Sequence, residues 1–228
     1  MTWGAVAIVL AAGSGERLGE TTPKAFVSLA GRPILAHAAQ AALSCGEVSS
    51  VVVAAPSGLE DLARSILQSI GPHAVVTGGP SRQASVRAAL ALVPEDVLAI
   101  VCHDAARPFA RPELFSSVLE ALAGSDGAIP LLPVPDTIKQ IRGGYVVATE
   151  PRDELGLAQT PQAFAAQPLR EAHRRAFEAG LDLTDDAAIM EWAGYRIRAV
   201  PGEPTNFKIT TQDDLVRAEL HAGELARG

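Results

Sequence analysis

From Ala5 to Pro133 the sequence alternates short apolar, β-branched runs with Ala-rich stretches of helical period, and few folds accommodate that alternation. Strands are expected over residues 5–10, 51–55, 74–77, 97–103 and 127–133, with helices over 34–43, 59–70, 82–92 and 112–123 between them. Repeated strand–helix–strand units imply a Rossmann-like α/β domain, a doubly wound and mostly parallel sheet covered by helices on both faces. Ligands on such sheets bind beyond the carboxyl ends of the strands, where the strand order reverses. The loops that follow strands are therefore the ones to inspect.

The rhythm breaks after Pro135. The stretch TIKQIRGGYVVATE reads as two alternating strands turned at Gly143-Gly144, a dipeptide that tolerates the positive φ angles of a tight hairpin. A two-stranded ribbon is marginal in water, and the rest of the sequence leaves no spare sheet for it to lean on. A protruding β-hairpin arm over residues 136–159 is thus expected to pack on a second subunit and make a homodimer. The chain returns through a strand at 162–164, helices at 168–179 and 185–192, a strand at 196–200, a short strand around Lys208 and a last helix at 212–226. Without an internal repeat or low-complexity linker, all 228 residues read as one domain.

A net charge of −7 argues against a general nucleic-acid or anionic-membrane surface, so any anion site must be local. Cys45 and Cys102 stand far apart with no C-x-x-C spacing, as expected of reduced thiols in a cytoplasmic protein. The opening MTWGAVAIVLAAG has no basic residue and too short an apolar run for a signal peptide, and reads as a buried strand. Of 19 basic residues, 16 are Arg and only three are Lys, at Lys24, Lys139 and Lys208. Where Arg fills the solvated positions, a remaining Lys marks a place that wants a compact ammonium rather than a planar fork.

The first strand empties into LAAGSGERLGETTPKAF, which carries Gly13, Gly15 and Gly19 but matches neither the dinucleotide fingerprint nor the P-loop. Glycine amides there can approach a ligand closely, and Arg17 and Lys24 add two cations, a combination suited to a triphosphate. The second strand ends in Ala54, Ala55 and Pro56, without the acid that a dehydrogenase uses on its ribose. At the fourth exit, VCHDAARPF presents Asp104 and Arg107. Asp104 is either a hard oxygen ligand for Mg²⁺ or a turn residue bonding its own backbone. In TGGPSRQASV, Gly78, Gly79 and Ser85 suit both a base edge and a plain helix start. Thr184 precedes two acids and suits a helix N-terminus, and His103 reads as a packed strand end. The five histidines show no ligand spacing and no G-x-S-x-G elbow is present, so zinc and hydrolase readings lack support.

Taken together, L-A-A-G-S-G-E-R-L-G…P-K-A-F, G-G-P-S-R-Q-A-S-V, H-D-A-A-R-P, P-V-P-D-T-I-K, L-A-Q-T-P-Q-A-F, L-T-D-D-A and N-F-K-I-T resemble, in order and over nearly the whole chain, the 2-C-methyl-D-erythritol 4-phosphate cytidylyltransferases of isoprenoid biosynthesis. The resemblance implies cytidylyl transfer from CTP to methylerythritol phosphate with release of pyrophosphate and a requirement for Mg²⁺. It implies that Arg17, Lys24 and Lys208 act at the phosphates and that Ala11, Ala12, Gly13, Gly15, Gly79 and Ser85 hold CTP. Asp104, which is also the metal candidate, joins Arg107, Thr137, Arg152, Thr160 and Thr184 on the acceptor side, with Arg152 supplied by the partner's arm. Pro80 departs from relatives that carry an acid there, which puts a side-chain contact to base or ribose in doubt. The fused cyclodiphosphate synthase domain of some relatives is expected to be absent. The competing readings are a ribitol 5-phosphate cytidylyltransferase, a sugar-1-phosphate nucleotidyltransferase and a catalytically silent CTP-binding regulator.

Overall fold

A computed structural model describes residues 4–13 and 22–227. The first half alternates as expected. β1 (Ala5–Leu10) is followed by a 3-10 turn (Lys24–Phe26), a small ribbon of β2 (Ser28–Leu29) and β3 (Arg32–Pro33), then α1 (Ile34–Leu43), β4 (Val48–Ala55), α2 (Glu60–Leu67), β5 (His73–Thr77), α3 (Arg82–Leu90), β6 (Ala99–Asp104) and α4 (Pro112–Glu120). β5, β4, β1 and β6 lie side by side and parallel in that order. The chain thus winds outward from β1 to β5 and then returns to place β6 on β1's other side. That reversal puts the switch point between β1 and β6.

Alternate residues of the central strands feed two cores. Ala5, Ala7 and Val9 face α1 and α4, where Leu35, Phe115 and Leu119 are fully buried. Val6 and Ile8 face α3 and two later helices, α5 (Ala166–Glu178) and α6 (Asp186–Trp192), among Val86, Leu169 and Met190. This period of two, with both faces apolar, is what a sheet covered by helices requires. Each such aliphatic or aromatic side chain stabilises the fold by about 1.5–3 kcal/mol on leaving water.

The second half departs from simple winding. β7 (Gly127–Pro133) does not join β6 directly, because β11 (Gln162–Ala165) runs antiparallel between them. β10 (Gly156–Ala158), which sequence periodicity did not reveal, continues that edge antiparallel to β7, and β12 (Ile197–Pro201) pairs with β7 in parallel. β8 (Lys139–Arg142) and β9 (Tyr145–Thr149) form the expected hairpin as a separate sheet, with Gly143 and Gly144 at φ +56° and +83° in its turn. Its Ile141, Tyr145 and Val146 are exposed. α7 (Gln212–Leu225) starts at a Thr211–Asp214 capping box and packs Leu215 and Ala218 against Leu29 and Ile34.

Two of the differences from the expected elements have a plain physical reason. β4 begins at Val48, three residues early, because Val48 and Ser50 pair with Ala5 and Val6, while Ser49, left unpaired at the register shift between them, donates Oγ to the Ala5 carbonyl at 3.1 Å. The segment around Lys208 is not a strand. Its Ile209 N–H donates to the Ala106 carbonyl at 2.8 Å, so it docks on a loop instead of a sheet edge.

Candidate active site

Three strand exits converge on a cleft of about 520 Å³. Leu10, the last residue of β1, lies level with Ala54 of β4 and Asp104 of β6, so Ala11, Ala12 and Gly13 leave the sheet at the switch point. Lys24 reaches the same cleft from its 3-10 turn, which is seated on buried Ala25 and Phe26. On the other wall, Gly78 packs so tightly on Ala12, and Gly79 on Ala84, that any side chain at either position would collide. Ser85 Oγ accepts the Gly79 N–H at 3.1 Å and donates to the Ser81 carbonyl at 2.9 Å, which folds the glycine loop over the start of α3. Ser81 in turn caps α3 by accepting the Ala84 N–H.

The charge centre is Asp104. Lys208 Nζ contacts its Oδ2 at 2.7 Å and Arg82 Nε lies 3.4 Å from its Oδ1. Burial alone would raise this carboxyl, but Arg82, Lys208 and Arg107 outweigh it and hold Asp104 ionised well below the usual carboxylate range. Arg82 also places Nη1 2.7 Å from Oδ2 of the fully buried Asp186, whose Oδ1 lies 3.1 Å from His173 Nε2. Burial would raise Asp186 as well, yet Arg82 and His173 bring it down to about 2. A line of alternating charge, Lys208, Asp104, Arg82 and Asp186, thus runs from the cleft into the core. Burial pushes the adjacent His103 imidazole down to about 4, overriding the attraction of Asp104, so it is neutral at pH 7.

Lys208 reaches this point through buried polar ties. Gln159 Oε1 accepts the Glu203 N–H at 3.0 Å and its Nε2 donates to the Glu203 carbonyl at 2.9 Å. Asn206 Nδ2 donates to the Thr160 carbonyl at 2.8 Å. The loop bearing the lysine is therefore bolted to the link between β10 and β11. Such an arrangement offers close-approaching amides on one wall and ammonium and guanidinium groups at the other end, a design for a phosphorylated ligand with a planar base.

The model of the 2-C-methyl-D-erythritol 4-phosphate cytidylyltransferase family, IspD, matches residues 5–224. The Rhodococcus jostii protein named 2-C-methyl-D-erythritol 4-phosphate cytidylyltransferase is 47% identical over 215 residues, which cover 93% of this chain and 92% of that one. The chain belongs to this family. A bifunctional IspD/IspF enzyme of Chelativorans is 41% identical over 95% of this chain and 54% of its own length. The Thermus thermophilus 2-C-methyl-D-erythritol 4-phosphate cytidylyltransferase structure superimposes with a TM-score of 0.79 at 38% identity, covering 95% of this chain and 98% of that one. The Anaerococcus prevotii 4-diphosphocytidyl-2C-methyl-D-erythritol synthase structure gives 0.86 at 29% identity and 96% coverage of both chains.

In this cytidylyltransferase-family chain the cleft gathers Ala11, Ala12, Gly13, Lys24, Gly79, Ser85, Asp104 and Lys208 from the positions singled out in the sequence. Gly15 and Arg17 lie outside the described residues. Arg107 turns away from the cleft's floor, donating to the Asn206 carbonyl at 2.8 Å and the Ala158 carbonyl at 3.2 Å. Thr160 is buried, while Thr184 is exposed just ahead of α6, whose cap is Asp185. Thr137 and Arg152 are exposed at the base of the arm, where Arg152 donates to the Pro135 carbonyl at 2.7 Å. Arg82 was missed, although it carried a signal. A cation in the first turn of a helix opposes the helix dipole and calls for carboxylates nearby. Among the described residues, no group of three or more His, Cys, Asp or Glu gathers as a metal cage.

Proposed function

We propose that the chain is one cytidylyltransferase domain spanning residues 1–228 that transfers a cytidylyl group from CTP to 2-C-methyl-D-erythritol 4-phosphate, yielding 4-diphosphocytidyl-2-C-methyl-D-erythritol and pyrophosphate in isoprenoid biosynthesis. The observation that carries the reading is the Lys208–Asp104 pair at the mouth of a glycine-walled cleft, in a chain of this family. A phosphate oxygen of the acceptor forms a bond to the α-phosphorus of CTP while the bond from that phosphorus to the β-phosphate bridge breaks, its electron pair leaving with pyrophosphate. The obstacle is the approach of two anions. Lys24, Lys208 and Arg17 supply the opposing charge, each well-aimed cation contributing on the order of 3 kcal/mol in the transition state. Positioning completes the catalysis, and no covalent nucleophile is required.

Cytosine lies against Gly79 and Ser85, with the backbone of Ala11, Ala12, Gly13 and Gly15 around the nucleotide. Pro80 lines the cleft and offers no acid to base or ribose. Asp104, Arg107, Thr137, Thr160 and Thr184 serve the acceptor side, and Arg152 reaches it from the arm of a second subunit in a homodimer. Asp104 also fits a one-carboxylate site for Mg²⁺, because among the described residues its Oδ1 meets only the long 3.4 Å contact from Arg82 and keeps a lone pair for a hard cation. Bound there with the triphosphate, the ion would neutralise charge on the phosphate oxygens. The working place is the cytoplasm, with neither nucleic acid nor membrane as partner. The net charge of −7 agrees with this, and no helix among the described residues is long and apolar enough to cross a membrane.

The test is pyrophosphate release by the purified chain with CTP and Mg²⁺, comparing 2-C-methyl-D-erythritol 4-phosphate with ribitol 5-phosphate. We expect turnover with the first and its loss on adding EDTA. Preference for ribitol 5-phosphate would reassign the acceptor, and tight CTP binding without pyrophosphate release would make the chain a nucleotide sensor.

A further inference from the structure

His103 is fully buried at the end of β6 and its ring packs 5.1 Å from that of Phe115. Its polar contacts are directional. Nε2 lies 3.2 Å from the carbonyl oxygen of Arg107, which can only accept, so Nε2 carries the hydrogen. The other ring nitrogen, Nδ1, faces the Thr160 hydroxyl at 3.1 Å and shares a hydrogen bond with it. The same Thr160 oxygen accepts the Asp104 N–H at 3.0 Å. Finally, the Arg107 N–H donates to the Asp104 carbonyl at 3.0 Å. The bonds close a ring, running from Asp104 through Thr160 and His103 to Arg107 and back to Asp104.

We propose that His103 is a positioning residue for cytidylyl transfer, a tie that locks the Asp104–Arg107 turn to the Thr160 segment between β10 and β11 and so sets the acceptor side of the cleft. The proposal rests on the reading of that side given under Proposed function. Two features argue against a purely packing role. An aromatic hydrocarbon would fill the same space beside Phe115, yet both ring nitrogens are used, and both reach residues flanking the charge centre. The ring also touches the lysine loop, because the Thr160 carbonyl accepts from Asn206 Nδ2 and the Arg107 guanidinium donates to the Asn206 carbonyl. A slip of the His103 tie would therefore be felt at Asp104 and, through Asn206, at Lys208. Thr160 acts in the same way. Its hydroxyl oxygen is turned inward to His103 Nδ1 and the Asp104 N–H, so it serves the acceptor by holding the Asp104 amide.

The experiment uses the full chain and three variants. His103→Phe keeps the packing and removes both polar ties, His103→Gln keeps one donor and one acceptor, and Thr160→Val removes the hydroxyl. With CTP and 2-C-methyl-D-erythritol 4-phosphate, His103→Phe is expected to lower kcat/KM for the acceptor about 10- to 100-fold, as for one or two lost internal bonds, while KM for CTP stays within about twofold. His103→Gln should recover part of the loss. The double variant His103→Phe/Thr160→Val should be no worse than His103→Phe alone, since both cut one chain of bonds. Wild-type kinetics in His103→Phe, equal losses for CTP and acceptor, or additive losses in the double variant would each overturn the proposal. Should His103→Phe fail to fold, His103→Gln against Thr160→Val makes the same comparison. An activity-free readout separates this proposal from the assigned reaction: imidazole ¹⁵N shifts of the wild-type chain should show Nε2 carrying the hydrogen that its bond to the Arg107 carbonyl requires. A bare Nε2 overturns the ring even if the enzyme turns over, and a hydrogen on Nε2 upholds it even if the acceptor proves to be another polyol phosphate.

Discussion

At Asp104 two cations meet one carboxylate, and they have different duties. Lys208 is 41% exposed at its side chain and can swing between the carboxylate and a phosphate, whereas Arg82 is held between two buried acids. Lys208→Ala should therefore lower kcat by about two orders of magnitude with little change in KM for CTP, as expected when one charge-stabilising donor is lost. Lys24→Ala should show the same pattern in steady-state pyrophosphate release. A raised KM for CTP at unchanged kcat would instead place either lysine in ground-state binding. Arg82→Met should act mainly on stability. It takes the guanidinium from the fully buried Asp186, while Asp104 keeps Lys208, and breaking a buried pair costs about 3–5 kcal/mol, measurable by urea unfolding.

The arm is the element that a single chain does not explain. β8 and β9 pair only with each other in the described sheets, their glycine turn is well formed, and Ile141, Tyr145 and Val146 face solvent. An isolated hairpin of this kind gains little from its own hydrogen bonds and leaves apolar surface in water, so a second copy of the arm or its neighbouring sheet is the natural cover. Light scattering should find a dimer at micromolar concentration, and Ile141→Glu with Val146→Glu should give a monomer of unchanged secondary structure and much reduced activity. The proposed sharing of each site between subunits has a sharper consequence. Lys208→Ala and Arg152→Ala chains, each inactive alone, should recover activity when refolded together, because a mixed dimer regenerates one intact site. No recovery would confine each site to one subunit.

For the molecule as a whole, pH dependence follows from the buried acids. Asp186 is ordinarily a group of pKa near 3.8 and is brought down to about 2 in the fold, so the unfolded chain binds its proton first as pH falls. Its contribution is complete above about pH 4 and is lost as pH drops toward 2, a change of about 2 kcal/mol. Asp104, also depressed, adds to the same acid limb. Asp186→Asn should therefore be less stable than the wild type at pH 7, with the difference shrinking below pH 4 in urea-unfolding series. A difference that does not vary with pH would mean that Asp186 matters for packing and not for its charge.

Local periodicity determined the strands and helices of the first half, since side-chain alternation and helical spacing are set by a few neighbouring residues. The glycines in the loop after β5 and the turn at Gly143-Gly144 were legible for the same reason: each reports a backbone requirement at its own position. Sequence could not show that β11 enters antiparallel between β6 and β7, because strand order depends on which edges remain open once the other strands have paired. Nor could it show that Lys208 would meet Asp104 from a loop, since that contact depends on Gln159 and Asn206 satisfying buried backbone groups in a segment without regular structure. Arg82 and His103 looked like a helix residue and a strand end. Only the packing of α3, α6 and β6 into one place, where buried charge must be paired and buried nitrogens must find partners, made the first a shared counter-ion and the second the closing link of a ring.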